Sequence, residues 1–241
     1  MNLVLDNWRI LLSGLWATLQ IGVVTLVASV LVGLVLGVAI CMTERRWIRM
    51  PIRGAVELLR AVPLIVNVYF VFFIAPQLGV ALSAYMAAVV SLSLWGGANA
   101  TEIVRGGLQA LPRHQRRSAR ALGLREWEIF LLILLPQAIR SVLPSLAGLL
   151  TLLIQSTTIG ALVGVPEFLQ MSRLIVERTT VMDGLDPSFR VYGFVLVVYF
   201  VLCTPLTWLS RELERRLARR SGGQPVVAAP ATAGVGLPAL P

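Results

Sequence analysis

The sequence predicts an all-α polytopic membrane protein with five transmembrane helices. Three observations predict it. The 241 residues are 57% hydrophobic and only 14% charged, where a soluble domain is nearer 45–50% apolar and about 25% charged. The apolar residues gather into long runs rather than alternating patterns. All 21 basic residues are arginine, and they cluster in short segments between those runs, which is how membrane orientation is encoded. The formal charge of +9 therefore reflects topology, and the pattern argues against a nucleic-acid partner.

The elements follow in order. Residues 1–10 form a short polar start with Asp6 and Arg9. Residues 11–42 contain no charge and exceed the roughly 20 residues that a span requires. The run is too long for a cleavable signal and reads as a retained helix. Its Gly14, Gly22, Gly33 and Gly37 permit close helix contact. An arginine-rich segment, 44–60, precedes a second span at 61–75 with Pro63 near its start. Pro76-Gln77-Leu78-Gly79 makes a tight uncharged turn into a third span at 80–101, continuing as helix to Gln109. A fourth span is expected at 143–158, preceded by a helix carrying Arg140 and Pro144. A mixed-charge segment covers 159–189, and a fifth span covers 191–209.

Seventeen arginines fall in the 44–60, 105–140 and C-terminal segments, and four fall elsewhere. The positive-inside bias then places residues 1–10 outside the cell and the 105–140 region and C-terminus in the cytoplasm. Residues 11–210 form the membrane domain, and 211–241 a cytoplasmic basic helix end followed by an Ala-, Pro- and Gly-rich tail expected to be disordered. Cys41 and Cys203 have no metal-ligand spacing and read as packing residues.

The chain is organised around 112–136, a soluble-looking stretch inside a greasy protein. Pro112 suits a first helical position, Gly123 suits the left-handed residue past a helix end, and Glu126 and Glu128 fall where the next helix dipole favours acid. The stretch predicts a short helix, a glycine break and a second helix. It resembles the cytoplasmic "EAA" coupling-helix loop of ABC importer permeases: Gly123, Ile133, Leu135 and Pro136 sit at the family spacing, with Arg117-Ser118-Ala119 where Glu-Ala-Ala is usual.

The resemblance extends over about 11–210 and is to the polar amino acid permeases of that superfamily. Leu15-Trp16-Ala17-Thr18-Leu19-Gln20 is similar to the opening of their first span. Glu57-Leu58-Leu59-Arg60-Ala61-Val62-Pro63-Leu64 matches their Arg-Gly-Thr-Pro-Leu segment, with Ala61 and Val62 for Gly-Thr. The 98–107 stretch matches Ala-Tyr-x-x-Glu-x-x-Arg-Gly-Gly, with Asn99 for the Tyr, and 156–166 matches Thr-Ser-Leu…Ile-Gly-Val-Pro, with Gln155-Ser156 where Lys-Asp is usual. The resemblance implies a type I importer permease fold in a bacterial cytoplasmic (inner) membrane. It further implies transport of a polar amino acid or related solute such as an opine, by alternating access. The implied partners are two ABC ATPase subunits that bind ATP and magnesium, a second permease subunit, identical or not, and an extracytoplasmic solute-binding protein.

The residues agree on what this chain lacks. There is no phosphate-binding Gly-x-x-x-x-Gly-Lys-Ser/Thr loop and no lysine at all, and the sole histidine, His114, lies in the basic loop. No cofactor is expected in the chain itself. The expected ATPase contact is Arg117, Ser118, Ala119, Leu122, Gly123 and Leu124, with Arg113, Arg116, Arg117 and Arg120 meeting acidic groups at its rim. Asn67, Asn99, Glu102, Gln155, Ser156, Thr157 and Thr158 are the polar candidates for a substrate path. Hydrogen bonds between spans are an equal alternative for them, and the i, i+3 spacing of Glu102 and Arg105 suggests a structural pair. A permease for another small solute, or a non-transporting membrane receptor or anchor, are the alternative functions.

Overall fold

In the computed structural model, residues 2–184 and 186–220 are described; the tail expected to be disordered, 221–241, lies outside them. Every regular element among the described residues is helical. In order they are α1 (Asn2–Asp6), α2 (Trp8–Met42), α3 (Arg46–Ala61), α4 (Leu64–Ile74), a 3-10 turn (Pro76–Leu78), α5 (Ala84–Gln109), α6 (Arg113–Ala121) and α7 (Glu126–Glu128). A π turn (Ile129–Leu134) leads from α7 into α8 (Leu135–Ser156), followed by a 3-10 segment (Thr157–Val163), α9 (Phe168–Asp183) and α10 (Ser188–Arg220).

The inward face of α2 is a stripe of small and hydroxylated residues: Gly14, Thr18, Gly22, Thr25, Ser29, Gly33 and Gly37, joined by Ile21 and Ile40. Its large side chains, Val23, Val27, Leu31 and Val35 among them, point outward. This is the opposite of a soluble helix. Lipid rewards no apolar residue for turning inward, so backbones approach where side chains are small. Some buried hydroxyls bond back to their own helices, Thr25 Oγ1 donating to the Ile21 carbonyl (2.7 Å) and Thr101 Oγ1 to that of Gly97 (2.8 Å), while Ser29 Oγ reaches across to the Ser93 carbonyl of α5 (3.4 Å).

Helix α5 is the hub, packing on α2, α3, α4 and α8. A core of Ile21, Val68, Leu92, Leu149, Leu153 and Val165 surrounds it. Three helical stretches are long and apolar enough to cross a membrane, Trp8–Met42, Glu126–Val163 and Ser188–Leu217. A fourth is reached if the bent pair Arg46–Ala61 and Leu64–Leu78 is one span. Length and composition thus account for three or four of the five spans expected. Helix α5 falls short because Gly96, Gly97, Ala98, Ala100 and Thr101 are buried against protein, where lipid-like side chains are not required.

Two boundaries change. The expected span at 61–75 is straight only over α4, Leu64–Ile74, because α3 and α4 meet at 103° just before it. Pro63 drives Val62 into an extended conformation (φ −74°, ψ 130°), and the α3 carbonyl of Leu59 is met by Asn67 Nδ2 at 3.4 Å. The expected span at 143–158 begins much earlier, since helix runs on from Glu126 with Pro144 inside it. The π turn ends two residues before Pro136; its wider ring relieves the clash a proline makes with the carbonyl four residues back.

The mixed-charge segment contains α9, whose N-cap is Glu167. This carboxylate is 0% exposed. It accepts from the amides of Leu169 (3.0 Å) and Gln170 (2.7 Å), from Tyr199 Oη (3.1 Å) on α10, and from Thr18 Oγ1 (3.5 Å) on α2. Thr18 Oγ1 in turn accepts from the Phe168 amide at 3.1 Å. One side chain thus ties three helices together. Glu167→Ala strands two amides and the tyrosine hydroxyl, and each buried orphan costs about 1–3 kcal/mol. A melting temperature lowered by several degrees in detergent is the expected result, and an unchanged value would show that water substitutes for the carboxylate.

Candidate functional site

The 112–137 hairpin is fixed by caps at both helix ends and by side-chain bonds between its arms. Pro112, extended at φ −61° and ψ 124°, is the N-cap rather than the first helical residue expected. At the other end of α6 the Gly123 amide donates to the Arg120 carbonyl (3.0 Å) and the Leu124 amide to that of Ala119 (3.2 Å). With Gly123 at φ +82°, this is a Schellman stop. The next helix opens with one half of a capping box, the Glu128 carboxylate accepting from the Arg125 amide at 2.6 Å.

Side chains lock the two arms together. Glu126 accepts from Arg116 Nη2 (2.7 Å) through one oxygen and from Arg120 Nε (2.8 Å) through the other. Gln115 and Gln137 exchange hydrogen bonds of 3.1 and 3.0 Å. Ala119 is only 3% exposed and Ile129 0%. Ala119 therefore seats α6 on its own chain instead of facing outward with the other expected contact residues. Arg117, Ser118, Leu122 and Gly123 are exposed and Leu124 is half-buried. Leu122 stands 82% exposed and Trp127 55%, an apolar pair at the tip of a charged hairpin. The side chain of Arg113, expected at the rim, lies outside what the structure describes.

The polar residues expected along a substrate path do not converge. Asn67 bridges the α3–α4 bend, Asn99 Nδ2 donates to the Trp95 carbonyl within its own helix (2.9 Å), and Thr157 Oγ1, 1% exposed, donates to that of Ile154 (2.8 Å). Glu102 is paired with Arg105 at 2.5 Å. Thr158 Oγ1 bonds the Gln155 carbonyl (2.7 Å), and Ser156 is half-buried. Gln155 alone of this set opens into a cleft of about 490 Å³ between α8 and α10, lined also by Tyr199, Thr204, Thr207, Arg211 and Arg215. Sequence reasoning missed this α10 stripe. Its signal was present: 204, 207, 211 and 215 recur at helical spacing. Glu167 was passed over as one charge among several, and only its position just after Pro166 hints at a helix cap.

Comparisons with known proteins agree over nearly the whole chain. Residues 13–219 match the family model described as binding-protein-dependent transport system inner membrane component. A probable amino-acid ABC transporter permease protein, YckA, of Bacillus subtilis is 30% identical over 217 residues, covering 90% of this chain and 93% of that one. The glutamine transport system permease protein GlnP of Escherichia coli K12 is 29% identical over 211 residues, covering 86% and 93%. Among solved structures, an amino acid ABC transporter crystallised with histidines superposes with a TM-score of 0.78 at 25% identity, covering 88% of this chain and 96% of the other. The MetNI methionine ABC transporter in an inward-facing conformation shares the fold, with a TM-score of 0.72 at 21% identity over 89% and 97%.

Proposed function

The chain belongs to the family of binding-protein-dependent transport system inner membrane components, and from that premise we propose that it is the permease subunit of an ATP-driven importer for a polar amino acid or a related solute such as an opine. The bundle crosses the membrane five times: α2, the α4 segment that follows the bend after α3, α5, the 126–163 helix and α10. The N-terminus lies outside, and the hairpin and C-terminus lie in the cytoplasm. The arginine distribution supports that orientation.

The hairpin carries the proposal. Its α6 is nine residues long, too short to be stable alone. It is held at one side by α5 and at the other by the helix that runs on to Val163. A push on its exposed tip is passed to both as a rigid-body motion, the mechanical requirement for alternating access. Two ATPase subunits supply the push and bind ATP and magnesium; a solute-binding protein delivers the substrate from outside. A second permease subunit faces the α8–α10 cleft. That cleft, with Gln155 and Thr204 facing it, supplies hydrogen-bonding groups along the path.

Purification of the subunit from native membranes in several mild detergents, with mass spectrometry of the co-purified chains, tests this. An ATPase and a permease partner, with ATP-dependent uptake after reconstitution, are the expected result. An intact subunit that never brings an ATPase with it would overturn the importer role in favour of a receptor or anchor.

A further inference from the structure

The arginines of α6 are not equivalent. Arg116 and Arg120 lie on one side of the helix and are both consumed by Glu126. Arg117 is turned about 100° from Arg116, is exposed, and has no ion-pair partner among the described residues. It shares its outward face with His114, Ser118, Ala121 and Leu122, all exposed. Ala119, on the opposite side, is buried against the chain itself. Among the described side chains, the face turned to a partner is therefore one guanidinium with no ion pair, beside His114, small residues and one prominent leucine. Glu126 is committed to its two arginines and Glu128 accepts from the Arg125 amide, so among the described residues no carboxylate of the hairpin is paired with Arg117.

We propose that the ATPase surface receiving this hairpin is acidic where it meets Arg117, with an Asp or Glu carboxylate taking the guanidinium and an apolar hollow beside it taking Leu122. This rests on the ATPase-docking role given to the hairpin above. The small residues let the two backbones close until Arg117 is desolvated, and a desolvated cation needs an ionised partner. An ATPase whose groove is basic at that point, shaped for the acidic residue usual in EAA loops, is rejected by like-charge repulsion. The arginine thereby sets which ATPase this permease accepts.

The test uses the full-length permease in nanodiscs and its co-purified ATPase, separated and re-bound. Wild-type affinity is expected to fall as salt rises from about 50 to about 300 mM. Arg117→Glu is expected to weaken binding by about tenfold or more, Arg117→Lys by much less. Replacing single acidic residues of the ATPase groove with Lys should restore binding of Arg117→Glu at one position. Arg117→Glu is checked for an unchanged melting temperature, since the side chain is exposed. If the ATPase binds wild type yet ignores both salt and Arg117→Glu, the acidic-socket proposal falls while hairpin docking stands. If the ATPase does not bind wild type at all, the docking role itself falls.

Discussion

Gly33→Leu is expected to abolish accumulation of the folded subunit. A Cβ at Gly33 would lie 2.5 Å from the Cβ of Ala100, 2.7 Å from its carbonyl carbon and 2.9 Å from the amide nitrogen of Thr101. Two of those three atoms are backbone of the hub helix and cannot move aside by changing rotamer. The register is repeated one turn on, where a Cβ at Gly37 would sit 2.8 Å from Val104 Cγ1, and from the other helix, where one at Gly97 would sit 2.8 Å from Val32 Cγ1. Relief requires α2 and α5 to separate along their contact, which undoes packing at several layers at once. Overpacking a core commonly costs about 1–3 kcal/mol, and here the leucine adds three further carbons beyond the forbidden Cβ. Gly33→Ala is the graded version, lowering the melting temperature without eliminating the protein. Gly54→Ala is the contrast: nothing lies within 4 Å of a Cβ there, and alanine in a helix interior is favoured by about 0.5–1 kcal/mol. Size-exclusion profiles and melting curves of the three variants in detergent check the ordering. A monodisperse Gly33→Leu with wild-type melting would show that α2 and α5 can part at this layer without loss.

The parts legible in the sequence are those whose cause is local. Pro112, Gly123 and the Glu126–Glu128 pair each specify a backbone event within a few residues, so the helix–break–helix hairpin can be read from those residues alone. The longest apolar runs, α2 and α10, need only length and hydropathy. What escapes depends on neighbours distant in the chain. Helix α5 ends at Gln109 as expected, but that its glycines and alanines pack against α2 and not against lipid is not visible in hydropathy. The 103° bend is permitted by Pro63 but its angle is set by packing. Glu167 reads as a surface charge until Thr18, 149 residues away, and Tyr199, 32 residues away, are brought against it. Residue type alone does not say whether a polar amide in a span, such as Asn99, is spent on its own helix or, like Gln155, left facing a cleft.

Gly123→Val is expected to remove most ATP-driven uptake while leaving the membrane bundle folded, and the reason is conformation, not space. No atom lies within 4 Å of a Cβ at Gly123, yet its φ is +82°. An L-residue in left-handed conformation costs roughly 1–2 kcal/mol, and a β-branched one suffers most. The Schellman bonds that close α6 depend on this residue. Without them the Leu124 amide leaves the Ala119 carbonyl, and the short helix frays from the end that carries Leu122. The bundle does not feel the change, because Ala119, Ile129 and the Gln115–Gln137 pair seat the hairpin, and Gly123 itself is exposed. A penalty of that size lowers the equilibrium constant for the docking-competent hairpin by about tenfold, and because so short a helix is only marginally stable, uptake falls with it. Gly123→Asn, whose side chain tolerates the left-handed region, should retain most activity. Gly123→Ala should fall between them. Uptake in proteoliposomes, alongside quantified ATPase in the purified complex, distinguishes the outcomes. Val and Asn variants with equal uptake would mean that the break at Gly123 is not what orients α6 toward its partner.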